Sequence, residues 1–468
     1  LKSTPLRRRS GTPLADAAST LGQTEYAMND SMRIALISEH ASPLATLGGV
    51  DSGGQNIYVS HVAQCLARAG HHVDVLTRRD DAALPRVVDL RPGVRVIHID
   101  AGPPSFVPKE QLLRHMPDFA RAAEQLFLHS VPYDVVHANF FMSGLVALRL
   151  KETLGVPFAI TFHALGLVRR EHQKEADAFP PQRIEIECEL VRRADAVIAE
   201  CPQDRADLAR LYDADPRRLS MVPCGFDPDE FAPQDRALAR ARLGLQSDEF
   251  IVLQLGRMVP RKGVDNVIRA LAQLPADIPA RLLVVGGESR EPDEMRTPEI
   301  GRLRRLAREL GVLHRVSFIG HRTRAELRDC YTAADVFAST PWYEPFGITP
   351  LEAMACGTPV IGSAVGGIRY SVRDGVTGFL VPPHDPGALA ARLVQLHRNP
   401  ALARALGRAG IRRTRSMFTW ERVTDQLLEV YRAIRTANLP AEAAWPSLHL
   451  VGGAGGGRAA SGGARAAS

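Results

Sequence analysis

Along the chain, short and nearly continuous apolar runs alternate with longer stretches whose apolar positions recur at helical spacing. In the first half the short runs are RIALISEH (33–40), HVDVLTRR (72–79), VRVIHID (94–100), YDVVHAN (133–139), PFAITFH (157–163), DAVIAEC (195–201) and LSMVPCG (219–225). In the second half they are FIVLQLG (250–256), RLLVVGG (281–287), RVSFIG (315–320), DVFAST (335–340), TPVIGS (358–363) and TGFLVP (377–382). Runs that are apolar on consecutive residues mark strands covered on both faces, hence parallel sheets between helices. A polar stretch near 227–248 splits the series in two. The expected fold class is therefore α/β, with two doubly wound, Rossmann-like domains facing across a cleft. Ligands of such sheets bind beyond the carboxyl ends of the strands, so the residues just after each strand carry the chemistry.

The ends of the chain differ in composition from this pattern. Residues 1–31, rich in Ser, Thr, Ala and Arg, read as a disordered N-terminal segment, and 439–468 as a flexible tail ending in VGGAGGGRAASGGARAAS. Between them the expected units are a first domain over 32–228, a second over 229–418 and a helix over 419–438.

Composition narrows the function. Of 468 residues, 45% are hydrophobic and 24% charged, an ordinary globular balance. No window is apolar enough to span a membrane, and no apolar segment follows Arg7-Arg8-Arg9, so a cytoplasmic protein is expected. The net charge of +6 comes almost wholly from arginine, with lysine only at 2, 109, 151, 174 and 262. No basic run is interleaved with aromatics, which argues against nucleic acid. The basic surface leaves a peripheral membrane contact open. Nothing in the pattern specifies an oligomeric state. Cysteines at 65, 188, 201, 224, 330 and 356 form no C-x-x-C pair and read as small core residues in a reducing compartment.

Candidate chemistry clusters after the strands. Gly53-Gly54 open a helical stretch, where backbone N–H groups can approach an anion; a plain tight turn is the alternative. Neither a G-x-G-x-x-G nor a P-loop spacing is present, which disfavours nicotinamide-dependent oxidoreductases. His163 stands at a strand end, as a cleft histidine or a satisfied interior one. Arg169, Arg170 and Arg183 follow, and on composition alone read as surface arginines. Arg257 and Lys262 flank a turn that opens a helix near 264–274, forming an anion site or a charged loop.

The most specific segment is WYEPFGITPLEAMACGTP, residues 342–359. Thr349, Pro350 and Glu352 match a capping box with Pro at the first helical position, so Glu352 has a structural role available. Glu344 lies before that helix with no comparable structural role. The D-x-D strings at 213–215 and 227–229 fall in connecting loops, and no metal site is expected.

Taken together, Gly53-Gly54, GRMVPRKG (256–263) and EPFGITPLEAMACGTPVI (344–361) resemble the retaining family 4 glycosyltransferases of the GT-B fold, over roughly residues 32–438. The resemblance implies an acceptor-binding first domain and a donor-binding second domain. It implies transfer of a hexosyl group, with retention, from a nucleotide-sugar, read as a UDP-sugar, to a sugar, sugar-phosphate or glycan acceptor. It implies no cofactor and no metal, with Arg257 and Lys262 neutralising the leaving diphosphate. By the same resemblance His163 and Glu344 are catalytic. Gly53, Gly54, Arg257, Lys262, Arg322, Phe346, Gly347, Ile348, Thr349 and Glu352 hold the donor. Asn56, Lys109, Arg169 and Arg183 face the acceptor, and the helix 419–438 packs back on the first domain.

Two subgroups match most closely: the inositol-phosphate N-acetylglucosaminyltransferases of mycothiol synthesis, and the sucrose and sucrose-phosphate synthases. Phe140 and Ala164 stand where the inositol-phosphate group is expected to carry a tyrosine and a threonine. Both changes remove hydrogen bonds from the acceptor pocket and set an expectation against inositol phosphate as acceptor. The competing readings are a nucleotide-sugar epimerase on the same fold and a non-catalytic nucleotide-sugar binding protein.

Overall fold

The computed structural model describes residues 31–45, 53–174 and 177–438, so the expectations for 1–30 and 439–468 lie outside the described residues. The first sheet contains β1 (Arg33–Ile37), β2 (His72–Arg78), β3 (Val87–Arg91), β4 (Val94–Ile99), β5 (Val135–Asn139), β6 (Phe158–Thr161), β7 (Ala196–Ala199) and β8 (Leu219–Met221). Their order is β3-β4-β2-β1-β5-β6-β7-β8. The second sheet contains β9 (Phe250–Leu255), β10 (Ala280–Val285), β11 (Val316–Gly320), β12 (Val336–Ser339), β13 (Val360–Ser363) and β14 (Gly378–Val381). Their order is β11-β10-β9-β12-β13-β14.

Every apolar run of the sequence pattern is a strand, and the inner ones are buried on both faces: Ile34, Ala35, Leu36 and Ile37 are at most 1% exposed. Pairing is parallel throughout the second sheet. The first sheet departs from the all-parallel expectation. β3 pairs antiparallel with β4 through a hairpin at Pro92-Gly93. β3 is an edge strand with half-exposed side chains, so it lacks the continuous apolar run that reveals its neighbours.

In each sheet the chain moves to one side of its first strand and then returns to the other. The reversal falls between β1 and β5 in the first sheet and between β9 and β12 in the second. A crevice opens at such a switch point. The two crevices face each other.

The chain crosses between the domains twice, and the crossings are tied together. Phe226 N–H donates to Phe418 O at 2.8 Å, and Trp420 N–H donates to Phe226 O at 3.2 Å. Phe226, Phe231, Tyr331, Phe418 and Trp420, none more than 1% exposed, fill the space around them. The last helix, Trp420–Ala437, buries Trp420, Val423, Thr424, Leu427, Leu428, Tyr431 and Ile434, one stripe at helical spacing. That stripe packs on the helix Gly54–Arg68 and on β5 and β6 of the first domain.

His137 on β5 pins this helix. Its Nδ1 is 2.6 Å from the Tyr431 hydroxyl and its Nε2 is 2.9 Å from Thr161 Oγ1. Burial, with His163 adding to it, pulls its pKa down to about 3. The unfolded ring titrates near about 6.5, so its stability contribution is whole above that pH and is lost as pH falls toward about 3. Denaturant midpoints measured down this range should therefore fall, and His137→Gln should flatten the slope. An unchanged slope would mean that other groups govern acid unfolding.

Candidate functional site

One cavity of about 620 Å³ occupies the cleft, and every residue singled out in the sequence as a site candidate lines it. Two helix N-termini meet there. A side chain added at Gly53 would come within 4.0 Å of Arg257 Nε, and one at Gly54 within 3.7 Å of Ile348 Cδ1. The start of the helix Gly54–Arg68 thus lies close to Arg257 on one side and to Ile348, the first residue of the helix Ile348–Ala355, on the other. Helix starts and cations together favour an anion.

On the second-domain side, a turn over Pro260–Lys262 delivers Lys262, and the helix Val264–Ala272 begins directly after it. Gly263 makes this turn possible. Its φ is +66°, and a Cβ there would lie 2.0 Å from Thr340 O. Lys262 Nζ donates to Glu344 Oε2, and Arg261 Nη1 lies 3.8 Å from the same oxygen. Burial pushes the Glu344 carboxyl up, but Lys262 and Arg261 outweigh it and hold the group below its ordinary range. Glu344 is therefore part of a half-buried ion pair, which corrects the expectation that it has no structural partner.

Glu352 also differs from expectation. Gly347, at φ +89°, caps the helix two residues earlier than a Thr349 cap would, and no side chain caps it. Glu352 is therefore no capping-box residue. Its Oε2 accepts from the Tyr331 hydroxyl at 2.8 Å, and its Oε1 is buried without a hydrogen-bond partner. Arg322 is held by the carbonyls of Arg290 and His321, each at 2.9 Å.

On the first-domain side, His163 sits at φ +57° after β6. Its Nδ1 is 3.0 Å from Glu200 Oε1 and its Nε2 is 3.0 Å from Asn139 Oδ1. Burial raises the Glu200 carboxyl, but His163 and the Cys224 thiol offset this and hold it below its ordinary value. Asn56 accepts from Gly53 N–H at 2.9 Å and donates to Ser42 O at 2.9 Å, which fixes the helix start.

Arg183 is no surface arginine: it is 1% exposed. Its Nε donates to Glu187 Oε1 at 2.7 Å and its Nη2 donates to Ala164 O. The rings of Phe140, Phe141 and Phe179 surround it at 4.6–5.0 Å. Nη1 is buried and has no hydrogen-bond partner. Arg169, paired to Asp177 at 2.7 Å, and Lys109 line the same end of the cavity. Phe140 and Ala164 line it too, and neither side chain carries a hydrogen-bonding group.

Three contributors went unrecognised in the sequence: Asn139, Glu200 and Arg324. Asn139 and Glu200 lie at or just after the ends of β5 and β7, where the strand-end rule points. Arg324 begins a helix two residues after Arg322, the arginine that the motif favoured. Among the described residues no group of three or more His, Cys, Asp or Glu side chains could hold a metal ion. Nor is any described helix long and apolar enough to cross a membrane.

Comparison with known proteins covers both domains. Residues 52–230 match the family model described as Glycosyltransferase Family 4, and residues 235–413 match Glycosyl transferases group 1. A D-inositol 3-phosphate glycosyltransferase from Actinosynnema mirum is 40% identical over 411 residues, 86% of this chain and 97% of that protein. The protein of that name from Mycobacterium tuberculosis H37Ra is 37% identical over 433 residues, 92% of this chain and 88% of its own. The solved sucrose-phosphate synthase from Thermosynechococcus elongatus has a TM-score of 0.80 at 38% identity, covering 87% of this chain and all of that one.

Proposed function

We propose a reaction for a chain that belongs to the family 4 glycosyltransferases of the GT-B fold: transfer of a hexosyl group from a UDP-sugar to a small phosphorylated acceptor, with retention at the anomeric carbon. The observation that carries the acceptor class is Arg183 Nη1, buried and unpartnered at the first-domain end of the cavity. A guanidinium so placed is completed by an anionic oxygen. Relatives named for inositol 3-phosphate and for sucrose phosphate both handle phosphorylated compounds, which supports the same class.

At the other end, the donor diphosphate would lie between the two helix starts, against Arg257 and Lys262. As the bond from the anomeric carbon to the diphosphate oxygen lengthens, negative charge gathers on the leaving group. Cations and amides already aimed there stabilise that charge without reorganising. Glu344, below the donor sugar, would meet the positive charge left on the ring. The acceptor hydroxyl bonds to the same face of the carbon as the leaving oxygen departs, and its proton passes to the diphosphate. Glu352 Oε1 would accept from the ribose. His163, held by Glu200 and Asn139, would contact the transferred sugar. All six cysteines are free, which supports a reducing, cytoplasmic setting.

The test is a transfer screen of UDP-, GDP- and ADP-sugars against inositol 3-phosphate, fructose 6-phosphate and unphosphorylated glycans, with and without EDTA. The expected product forms from a UDP-sugar and a phosphorylated acceptor, keeps the donor's anomeric configuration and survives EDTA. Inositol 3-phosphate tests the Phe140 and Ala164 departures directly. Epimerised sugar released without acceptor would replace this reading with that of an epimerase. Loss of activity in EDTA, restored by Mn²⁺ or Mg²⁺, would refute leaving-group stabilisation by arginine and lysine.

A further inference from the structure

Two side chains of one helix close on Glu352, and one of them also grips the chain where it crosses between domains. The helix Arg324–Ala333 presents Arg324 and Tyr331, two turns apart on one face. Tyr331 donates to Oε2 of Glu352, while Arg324 Nη2 lies 3.3 Å from Oε1. Oε1 keeps no hydrogen-bond partner although Glu352 is 2% exposed and faces the cavity. A buried carboxylate oxygen in that state is a receptor for a ligand hydroxyl.

The position of Arg324 runs against helix electrostatics. It is the first helical residue, where the macrodipole disfavours a cation. Two carboxylates offset this. One is Glu352; the other is Glu230, whose Oε2 accepts from Arg324 Nε at 2.5 Å. The Phe231 ring covers the guanidinium at 4.8 Å. Glu230 and Phe231 belong to the first interdomain crossing, just after Phe226. His61 closes the knot from the first domain. It stacks on Trp420 at 5.3 Å, and its ring nitrogens lie 3.7 Å from Asp227 and 3.9 Å from Glu230.

We propose that Arg324 is a positioning residue that holds Glu352 for the nucleotide ribose and, through Glu230, couples nucleotide binding to the relative orientation of the two domains. The inference rests on the donor reading above. One guanidinium is shared by two carboxylates, so a hydroxyl that bonds to Glu352 Oε1 changes the pull of Arg324 on Glu230. Glu230 sits on the crossing that any domain closure must bend.

The test uses the full chain, with Arg324→Met, Arg324→Lys and Glu230→Gln. Affinity for UDP, GDP and ADP is measured by calorimetry, donor and acceptor KM by initial rates, and closure by small-angle scattering with and without nucleotide. Arg324→Met should weaken nucleotide binding and raise donor KM by roughly tenfold or more, with acceptor KM unchanged. Arg324→Lys should recover part of the loss because it keeps the charge. Glu230→Gln should diminish the nucleotide-dependent change in radius of gyration. A folded Arg324→Met with wild-type nucleotide affinity overturns the positioning role. So does a loss shared equally by donor and acceptor KM that lysine does not rescue. A scattering change in Glu230→Gln equal to wild type, or none in wild type, overturns the coupling. Wild-type protein that binds none of the three nucleotides fails the donor reading itself, an outcome distinct from these.

Discussion

Glu344→Gln is expected to lower kcat by about two to three decades, the loss of one transition-state charge interaction on the order of 3–4 kcal/mol. Under the proposed reaction the carboxylate meets positive charge that develops on the donor sugar, and a neutral amide cannot. The structure adds a second consequence. Glu344 is the partner of Lys262, and that pair lines the cavity half-buried, so the cost of a fully buried pair is an upper bound. Leaving a buried charge without its counter-ion costs roughly 3–5 kcal/mol when nothing replaces the partner. Glutamine can still accept from Lys262, so only part of that loss should appear, as a lowered thermal midpoint. Donor KM should move little compared with kcat. Near-wild-type turnover by a folded Glu344→Gln protein would remove Glu344 from the chemistry.

Arg183→Lys is expected to raise the acceptor KM by roughly ten- to a hundredfold and leave donor KM unchanged. Lysine keeps a cation for Glu187 but loses the planar fork, and with it Nη1. The lost charge-assisted bond is worth about 1.5–3 kcal/mol. Arg183→Ala is the poorer experiment. It would strand Glu187, which also accepts from Gly166 N–H at 2.9 Å and from the Tyr212 hydroxyl at 2.5 Å. That protein should lose stability along with acceptor binding. If Arg183→Lys keeps the wild-type acceptor KM, Arg183 is a core cation within an aromatic cage and the acceptor's anion lies elsewhere.

The strand pattern and the strand-end chemistry follow from local chain physics. Strands buried on both faces must be apolar at consecutive positions, so thirteen of the fourteen were legible as runs, and their parallel pairing with them. The exception, β3, is an edge strand whose exposed side has no such requirement. The candidate residues were legible for a related reason: a doubly wound sheet puts its chemistry just beyond the strands, so Arg257, His163 and Glu344 announce themselves by position. Tertiary structure alone decided what each of them touches. Arg183 reads as one more arginine in an arginine-rich chain, because nothing local to residue 183 reveals the cage of Phe140, Phe141 and Phe179. Glu344 has no partner in its own segment, and its counter-ion arrives from Lys262 on a different strand's loop. Glu352 fits a capping box only while Gly347 is assumed to be an ordinary residue. The left-handed backbone there starts the helix earlier and turns the carboxylate toward Arg324 and Tyr331. Burial and pairing between distant segments are properties of the packed chain, and no window of sequence contains both members of such a pair.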